Sequence, residues 1–84
     1  MAERALRKKA KACLAYLEAI AEVETRFVSR AELLERVWQL QPDTATRTVE
    51  GTICEIRRVL GRGVIKTHRM AGYRYVQRYQ GTAQ

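Results

Sequence analysis

Several residue types are scarce in this sequence, and their scarcity excludes whole classes of protein. The 84 residues include two cysteines, one proline, one tryptophan and one histidine. Cys13 and Cys54 have neither a metal-binding nor a redox spacing, so we expect two free thiols in a reducing cytoplasm. No apolar run reaches the roughly 18 residues that span a membrane, and the charged N-terminus does not resemble a signal peptide. We therefore predict a cytoplasmic protein without a membrane segment.

The residue patterns that support enzyme chemistry are also missing. No pair of carboxylates, glycine-rich phosphate loop or set of metal ligands occurs at a productive spacing. His68 has no Ser or Cys nucleophile near it and no second metal ligand, so we interpret it as a surface side chain of the wing. We predict that the protein is not an enzyme and that it has no catalytic residue, cofactor or metal.

Acidic residues are scarce in the C-terminal part of the chain. Residues 51–84 contain seven lysines and arginines, with Glu55 as their single acidic residue. The whole chain has a net charge of +7, and a small domain with this excess usually binds a polyanion. The apolar fraction of 46% indicates a folded core. We expect a single domain over residues 1–84, with a disordered tail over 78–84.

Three stretches have apolar residues three and four positions apart, which predicts three helices. The first covers about 2–23, the second about 30–39 and the third about 46–60. Ser29 and Glu32 predict a capping box at the start of the second helix. The third helix has one fully apolar side, formed by Val49, Ile53, Ile56 and Leu60.

A basic hairpin is predicted after the third helix. Residues 64–67 and 73–77 favour strands, and Gly72 permits the positive φ of a tight turn between them. A further short strand is predicted near 27–28. Three helices and a C-terminal hairpin predict an α+β fold, a winged helix-turn-helix in which the hairpin is the wing.

Single residues refine this outline. Thr46 is the predicted N-cap of the third helix and Gly61 its predicted C-cap. Trp38 is predicted to lie in the core, with its indole N–H bonded to one partner. These residues fix where the third helix begins and ends, and they place the second helix against the core.

Three features have two interpretations each. The lysines of the first helix form either a solvated face or a surface that contacts phosphates. Gly51 reflects either tight helix packing or close approach of the backbone to a ligand. Glu55 either accepts a hydrogen bond from a cytosine amine or pairs with Arg58 or Arg47 on the helix surface.

A series of sequence blocks carries a resemblance to a known family. In chain order the blocks are Val28–Trp38, Arg47–Glu50, Ile56–Gly61, Ile65–Arg69 and Gly72–Tyr75. Together they resemble the OmpR/PhoB-type winged helix-turn-helix effector domain over about residues 14–76. The resemblance implies a DNA-binding transcriptional regulator of bacterial or phage-like type, whose partner is double-stranded DNA.

The resemblance also implies how such a domain works. In that family the third helix enters the major groove, the wing places an arginine in the minor groove, and the preceding loop can touch RNA polymerase. Residues 39–45 form that loop here. No receiver domain is present in the sequence, so we expect a stand-alone domain that is not controlled by aspartate phosphorylation within the chain. A homodimer on DNA is compatible with the resemblance.

Individual residues match the family's DNA contacts. Arg47 resembles its helix-start arginine, Thr67 and Arg69 its wing threonine and minor-groove arginine, and Tyr73 its phosphate-bound tyrosine. Arg57 resembles its late-helix phosphate contact, and guanidinium forks such as that of Arg47 also fit guanine. The predicted DNA-binding set is Arg47, Thr48, Gly51, Thr52, Glu55, Arg57, Arg58, Lys66, Thr67, Arg69, Tyr73 and Arg74.

Three positions of the third helix depart from the family. Gly51, Thr52 and Glu55 stand where Val, His and Arg are usual, and all three fall on the predicted DNA-facing side. The resemblance therefore predicts the architecture but no operator sequence. The departures favour, as an alternative function, a winged-helix module that binds a transcription or regulatory protein. RNA binding is a third hypothesis, which no aromatic stacking platform supports.

Overall fold

The computed structural model describes residues 5–76, which form three helices followed by a two-stranded antiparallel hairpin. The predicted α+β winged helix-turn-helix is therefore confirmed. The predictions made for residues 2–4 and 77–84 lie outside the described residues. In chain order the elements are α1 (Lys8–Val23), α2 (Arg30–Arg36), α3 (Thr48–Leu60), a 3₁₀ turn (Arg62–Val64), β1 (Ile65–His68) and β2 (Gly72–Tyr75).

α1 begins at Lys8, and the prediction of a helix from residue 2 is wrong for residues 5–7. Arg7 has an extended backbone, with φ −72° and ψ 166°. Its N–H donates to the carboxylate of Glu55 on α3 at 2.8 Å, so it does not join the helix. Leu6 is only 4% exposed and extends the apolar period beyond the helix. The spacing of apolar residues indicates which residues are buried, and a buried residue need not be helical.

α2 begins as predicted and ends at Arg36, before the predicted residue 39. Ser29 caps it by accepting the N–H of Glu32 at 3.0 Å. The second hydrogen bond predicted for the capping box, from the Ser29 N–H to the Glu32 side chain, is not formed. The Glu32 carboxylate binds Arg26 and Tyr16 instead. After the helix, Gln39 adopts a left-handed φ of 58°, which turns the chain away.

α3 is the helix whose apolar side was clearest in the sequence, and Val49, Ile53 and Ile56 are all buried. It begins at Thr48 and not at Thr46. The Thr46 hydroxyl still accepts the N–H of Thr48 at 3.2 Å, so it serves the first turn from outside the helix. Gly61 is the C-cap as predicted, with φ 110°.

The hairpin pairs β1 and β2 in the antiparallel register Ile65↔Tyr75 through His68↔Gly72. Val64 belongs to the 3₁₀ turn, so β1 lies one residue later than predicted. β2 begins one residue earlier than predicted and ends at Tyr75, before Val76. The predicted short strand near 27–28 is confirmed as a bridge between Val28 and Tyr73. Val28 thus pairs with the free edge of β2 and ties the wing to the segment before α2.

The core lies where the buried side of α1 meets α3 and β2. Its largest fully buried side chains include Leu17, Leu33, Leu34 and Ile56. Trp38 packs against this core but is only partly buried, which corrects the prediction of a core tryptophan. Among residues 5–76, no helix is long and apolar enough to cross a membrane.

Candidate nucleic-acid interface

One side of α3 is exposed along its whole length. Arg47, Gly51, Cys54 and Arg58 are all exposed, and they recur three and four residues apart. This spacing stacks them on one side of a helix, opposite the apolar side that packs on the core. We call these four residues the exposed α3 face. It has one guanidinium group at each end, and the residues between them carry only small side chains.

Gly51 has open space around it. A Cβ atom built at Gly51 would meet nothing within 4 Å, apart from the helix's own backbone. The hypothesis of tight helix packing at Gly51 is therefore wrong. Close approach of the backbone to a ligand is the alternative that the sequence left open, and it stays a prediction.

Thr52 does not lie on the exposed α3 face, which corrects the placement made from the sequence. Its side chain is buried, 9% exposed, on the flank of α3 that packs inward. One residue corresponds to about 100° of helix rotation, so Gly51 and Thr52 point in different directions. Thr52 is therefore not part of the exposed α3 face.

Glu55 is bound within the protein. Its carboxylate accepts the N–H of Arg7 at 2.8 Å, and Arg7 is the residue that precedes α1. The predicted ion pair of Glu55 with Arg58 or Arg47 is absent among residues 5–76. A carboxylate beside the first amides of a helix is favourable because those amides carry partial positive charge. Glu55 therefore fastens the start of α1 to α3.

Arg57 leaves α3 on the opposite flank and binds the wing. Its Nη2 donates to the carbonyl of Ile65 at 2.8 Å and to the hydroxyl of Thr67. Residues two apart on an α-helix point about 200° apart, so the wing and the start of α1 lie on opposite sides of α3. The exposed α3 face lies between them.

The turn of the wing is internally bonded and points outward. Ala71 donates to the carbonyl of His68 at 3.0 Å, and the Met70 N–H donates to the His68 ring at 3.2 Å. The His68 ring lies 5.5 Å from that of Phe27, centroid to centroid. Arg69 and Met70 are exposed at the tip of this ordered turn.

Two cations face each other across the hairpin. Lys66 of β1 is directly opposite Arg74 of β2, and like charges at such positions repel. The Arg74 guanidinium lies 5.2 Å above the centre of the Phe27 ring, and its Nε is buried without a hydrogen-bond partner among residues 5–76. Successive residues of a strand point to opposite faces, so this pair lies on the face of the hairpin opposite Thr67 and Tyr73.

Tyr73, in β2 of the same hairpin, is half-buried. Burial raises the pKa of its hydroxyl, so the group stays protonated and keeps its hydrogen-bond donor at neutral pH. Within residues 5–76 that hydroxyl makes no hydrogen bond. The predicted role of Tyr73, donation to a phosphate, needs such a free donor.

The turn between α2 and α3 is held by Arg30, which the sequence did not single out. Its Nε binds the Glu50 carboxylate at 2.8 Å, and its terminal nitrogens donate to the carbonyls of Thr44 and Thr46. These partners are 14 to 20 residues away, so no local pattern could reveal them. Arg30 thereby fixes the angle at which α3 leaves the loop.

The loop over residues 39–45 is exposed apart from Thr44, which is partly buried. Thr44 donates from both its N–H and its hydroxyl to the carbonyl of Gln41, at 3.1 Å and 2.7 Å. Leu40 is 41% exposed, which is high for a large apolar side chain. The loop is therefore ordered locally and open to solvent.

Helix-turn-helix geometry, a projecting hairpin and a basic surface between them define a winged-helix domain of the nucleic-acid-binding class. The family model described as "Transcriptional regulatory protein, C terminal" matches residues 3–75. The chain belongs to this family of OmpR/PhoB-type DNA-binding domains of transcriptional regulators, which is not a family of enzymes, and the resemblance drawn from the sequence blocks is confirmed. No curated protein sequence matches the chain significantly.

Proposed function

We propose that this protein regulates transcription by binding double-stranded DNA, with the exposed α3 face in the major groove and Arg69 of the wing in the minor groove. One observation carries the proposal. The exposed α3 face and the wing are joined through Arg57 into one basic surface, and no other described part of the chain covers it. An α-helix fits the major groove, which is about 12 Å wide.

Phosphate contacts are assigned to the side chains around the hairpin. Lys66 and Arg74 contribute two cations on one face of the hairpin, and Tyr73 contributes a protonated hydroxyl on the other face. Arg57 supports the wing through Ile65 and Thr67, and a phosphate on its outer side would complete its hydrogen bonds. Such contacts supply affinity and set the register, without choosing a sequence.

Base contacts are assigned to the exposed α3 face. The guanidinium forks of Arg47 and Arg58 match the O6 and N7 acceptors of guanine. Gly51 and Cys54 lie between them on this face, where small side chains let the backbone approach the bases. Thr48 is partly buried on the neighbouring flank, and its hydroxyl is hydrogen-bonded to that of Thr46. Glu55 takes no part in base contacts in this proposal, because its carboxylate already binds Arg7.

RNA polymerase and a second copy of the chain are further proposed partners. The 39–45 loop exposes Leu40 and Pro42 to solvent, so it offers an apolar contact to a protein. A homodimer would double the number of phosphate contacts, which a single small module needs for tight binding.

The alternative function, a module that binds another protein in place of DNA, loses two of the residues that favoured it. It rested on Gly51, Thr52 and Glu55, and on the weak DNA binding expected of one small module. Thr52 is buried and Glu55 is bound to Arg7, so neither distinguishes a DNA surface from a protein surface. Gly51 suits close approach to either partner.

To test the proposal, the protein is titrated with a random duplex at several salt concentrations, and binding is measured by fluorescence anisotropy. If about five phosphates are neutralised, log K falls against log salt with a slope of about −4 to −5. We expect Arg69→Ala to weaken binding by about 1–3 kcal/mol, as for loss of a groove contact. Arg36→Ala removes an exposed arginine of α2 and serves as the control. Binding that does not depend on salt would contradict the proposal.

A further inference from the structure

A groove of about 370 Å³ runs between the start of α1 and α3. It lies next to the exposed α3 face and shares Gly51 and Arg58 with it. The contact of Arg7 with Glu55 forms one wall, on the flank of α3 that faces away from the wing. The groove therefore continues the proposed DNA surface on the side that the wing does not reach.

The groove carries a positive charge that the protein does not neutralise. Arg7, Lys9 and Arg58 line it, against the single carboxylate of Glu55. Lys9 donates to the backbone carbonyl of Val37 at 3.0 Å, an acceptor without charge. None of the three cations forms an ion pair within the described part of the chain. The lining side chains thus have a net charge of +2.

Trp38 forms part of the lining of the same groove, and its indole ring is partly buried against the core. We predicted one partner for the indole N–H from the sequence, but it has none among residues 5–76. The indole nitrogen is not one of the buried atoms that lack a partner, so water can reach it. A ligand in the groove would lie beside Trp38 and change the surroundings of its ring.

We infer that this groove binds a phosphate of the DNA backbone, on the side of α3 opposite the wing. The inference rests on the proposed function and extends it. With α3 in the major groove, one strand of the duplex passes the wing and the other passes the start of α1. Arg7 and Lys9 supply the charge, and Trp38 forms part of the wall beside them. The basic start of α1 is then a part of the DNA-binding surface.

Two variants of the full chain test the inference by charge. Arg7→Gln leaves the backbone N–H that Glu55 accepts, and Lys9→Gln removes the charge but keeps a polar side chain with N–H donors. The matched control is Arg36→Gln, which removes one exposed charge outside the groove. We expect each single variant to bind a random duplex roughly fivefold more weakly. The double variant should make the slope of log K against log salt shallower by about 1, as expected for the loss of one neutralised phosphate.

The fluorescence of Trp38 gives a second readout, since it is the only tryptophan in the chain. A phosphate bound in the groove lies beside Trp38, so it should shift the emission of the wild-type protein at saturating duplex. The double variant should show a smaller shift at saturation, and Arg36→Gln should shift like the wild type. Circular dichroism of each variant establishes that it is folded.

The results separate this inference from the proposed function. If wild type and Arg36→Gln bind duplex with a steep salt slope and the double variant keeps that slope, the inference is overturned while the proposed function stands. If the wild type does not bind duplex, the proposed function fails and the inference fails with it. A shallower slope together with a reduced emission shift in the double variant supports the inference.

Discussion

At the scale of single residues, the two cysteines differ in what they can react with. Cys13 is buried in the core, and burial raises the pKa of its thiol to about 12. Cys54 is exposed at the middle of the exposed α3 face. Because the thiolate is the reactive form, we expect a thiol-specific chromogenic reagent to modify Cys54 quickly and Cys13 only after denaturation.

DNA binding should protect Cys54 from that reagent. A saturating duplex would cover the exposed α3 face and slow the reaction, whereas added salt would restore the rate by releasing the DNA. Cys54→Ser provides the control, because it should leave no fast-reacting thiol. An unchanged rate at saturating duplex would show that DNA does not sit on this side of α3.

A second residue-scale prediction concerns Glu32 and acid. Hydrogen bonds from Arg26, and then from Tyr16, hold the pKa of the Glu32 carboxyl below its usual value. A lowered pKa in the folded state contributes stability above the unfolded pKa of about 4.3, and this is lost as the pH falls through the folded pKa. We expect Glu32→Gln to cost about 1 kcal/mol at neutral pH and progressively less in acid.

Thermal melts of wild type and Glu32→Gln across this pH range measure the effect. The control is Glu24→Gln, since Glu24 also pairs with Arg26 but its side chain is 54% exposed against 23% for Glu32. Glu24→Gln should change the melting temperature less. A constant difference between wild type and Glu32→Gln down to strongly acid pH would contradict the assignment of the ionised carboxylate.

Single residues also show where sequence-based prediction of the site stops. Arg47 and Arg58 were expected on an exposed side of α3, and they are exposed, because helical periodicity determines direction. Thr52 was misplaced because a polar residue on the flank of a helix can be buried. Glu55 was misassigned because its partner, Arg7, lies 48 residues earlier in the chain. A contact between residues far apart in the chain produces no regular spacing in the sequence, so it cannot be predicted from one.

At the scale of elements, the wing depends on one glycine. Gly72 has φ 119°, and a Cβ there would overlap the carbonyl oxygen of Val28. We expect Gly72→Ala to destabilise the fold by about 1–3 kcal/mol, since it strains the backbone and breaks the bridge between Val28 and Tyr73. Chemical denaturation measures the change in the free energy of unfolding.

Gly51→Ala is the matched substitution in open space. It should stabilise α3 by about 0.5–1 kcal/mol, because alanine favours helix and the new methyl group meets no neighbour. If the α3 backbone approaches DNA at this point, the same variant should bind duplex more weakly although it is more stable. Equal destabilisation by both substitutions would contradict the structural difference between the two glycines.

The number and order of the elements could be predicted, whereas several of their ends could not. The apolar stripes of α1 and α3 and the turn glycine of the hairpin are local signals, and all three gave correct elements. The end of α2 depends on Gln39, a residue type with no strong preference for the left-handed φ it adopts. The start of α1 depends on the distant Glu55. Helix ends that are set by tertiary contacts cannot be predicted from the helix propensities of single residues.

At the scale of the whole molecule, α1 holds both sides of the proposed DNA surface. Its buried side packs against α3 and β2, and its start is bound to Glu55. Arg57 and the bridge at Val28 hold the wing in place from the other side. Recognition helix and wing are thus positioned by one small core. A destabilising substitution in that core should weaken DNA binding although the surface residues are unchanged.

Leu17→Ala tests this coupling between folding and binding. Leu17 of α1 is 1% exposed, and such truncations cost about 2–5 kcal/mol, a large part of the stability of a small domain. We expect the free variant to be substantially unfolded, as measured by circular dichroism. The control is Val23→Ala on the same helix, which is 80% exposed and should change stability by less than about 0.5 kcal/mol.

Added DNA should restore the fold of the Leu17→Ala variant. A ligand that binds only the folded state stabilises it by about 2.7 kcal/mol at a hundred times its dissociation constant, so excess duplex should recover helical signal. The same excess of duplex in high salt should recover much less, because phosphate contacts weaken there. Recovery that is independent of salt, or a folded variant that fails to bind duplex, would show that the core and the DNA surface are not coupled in this way.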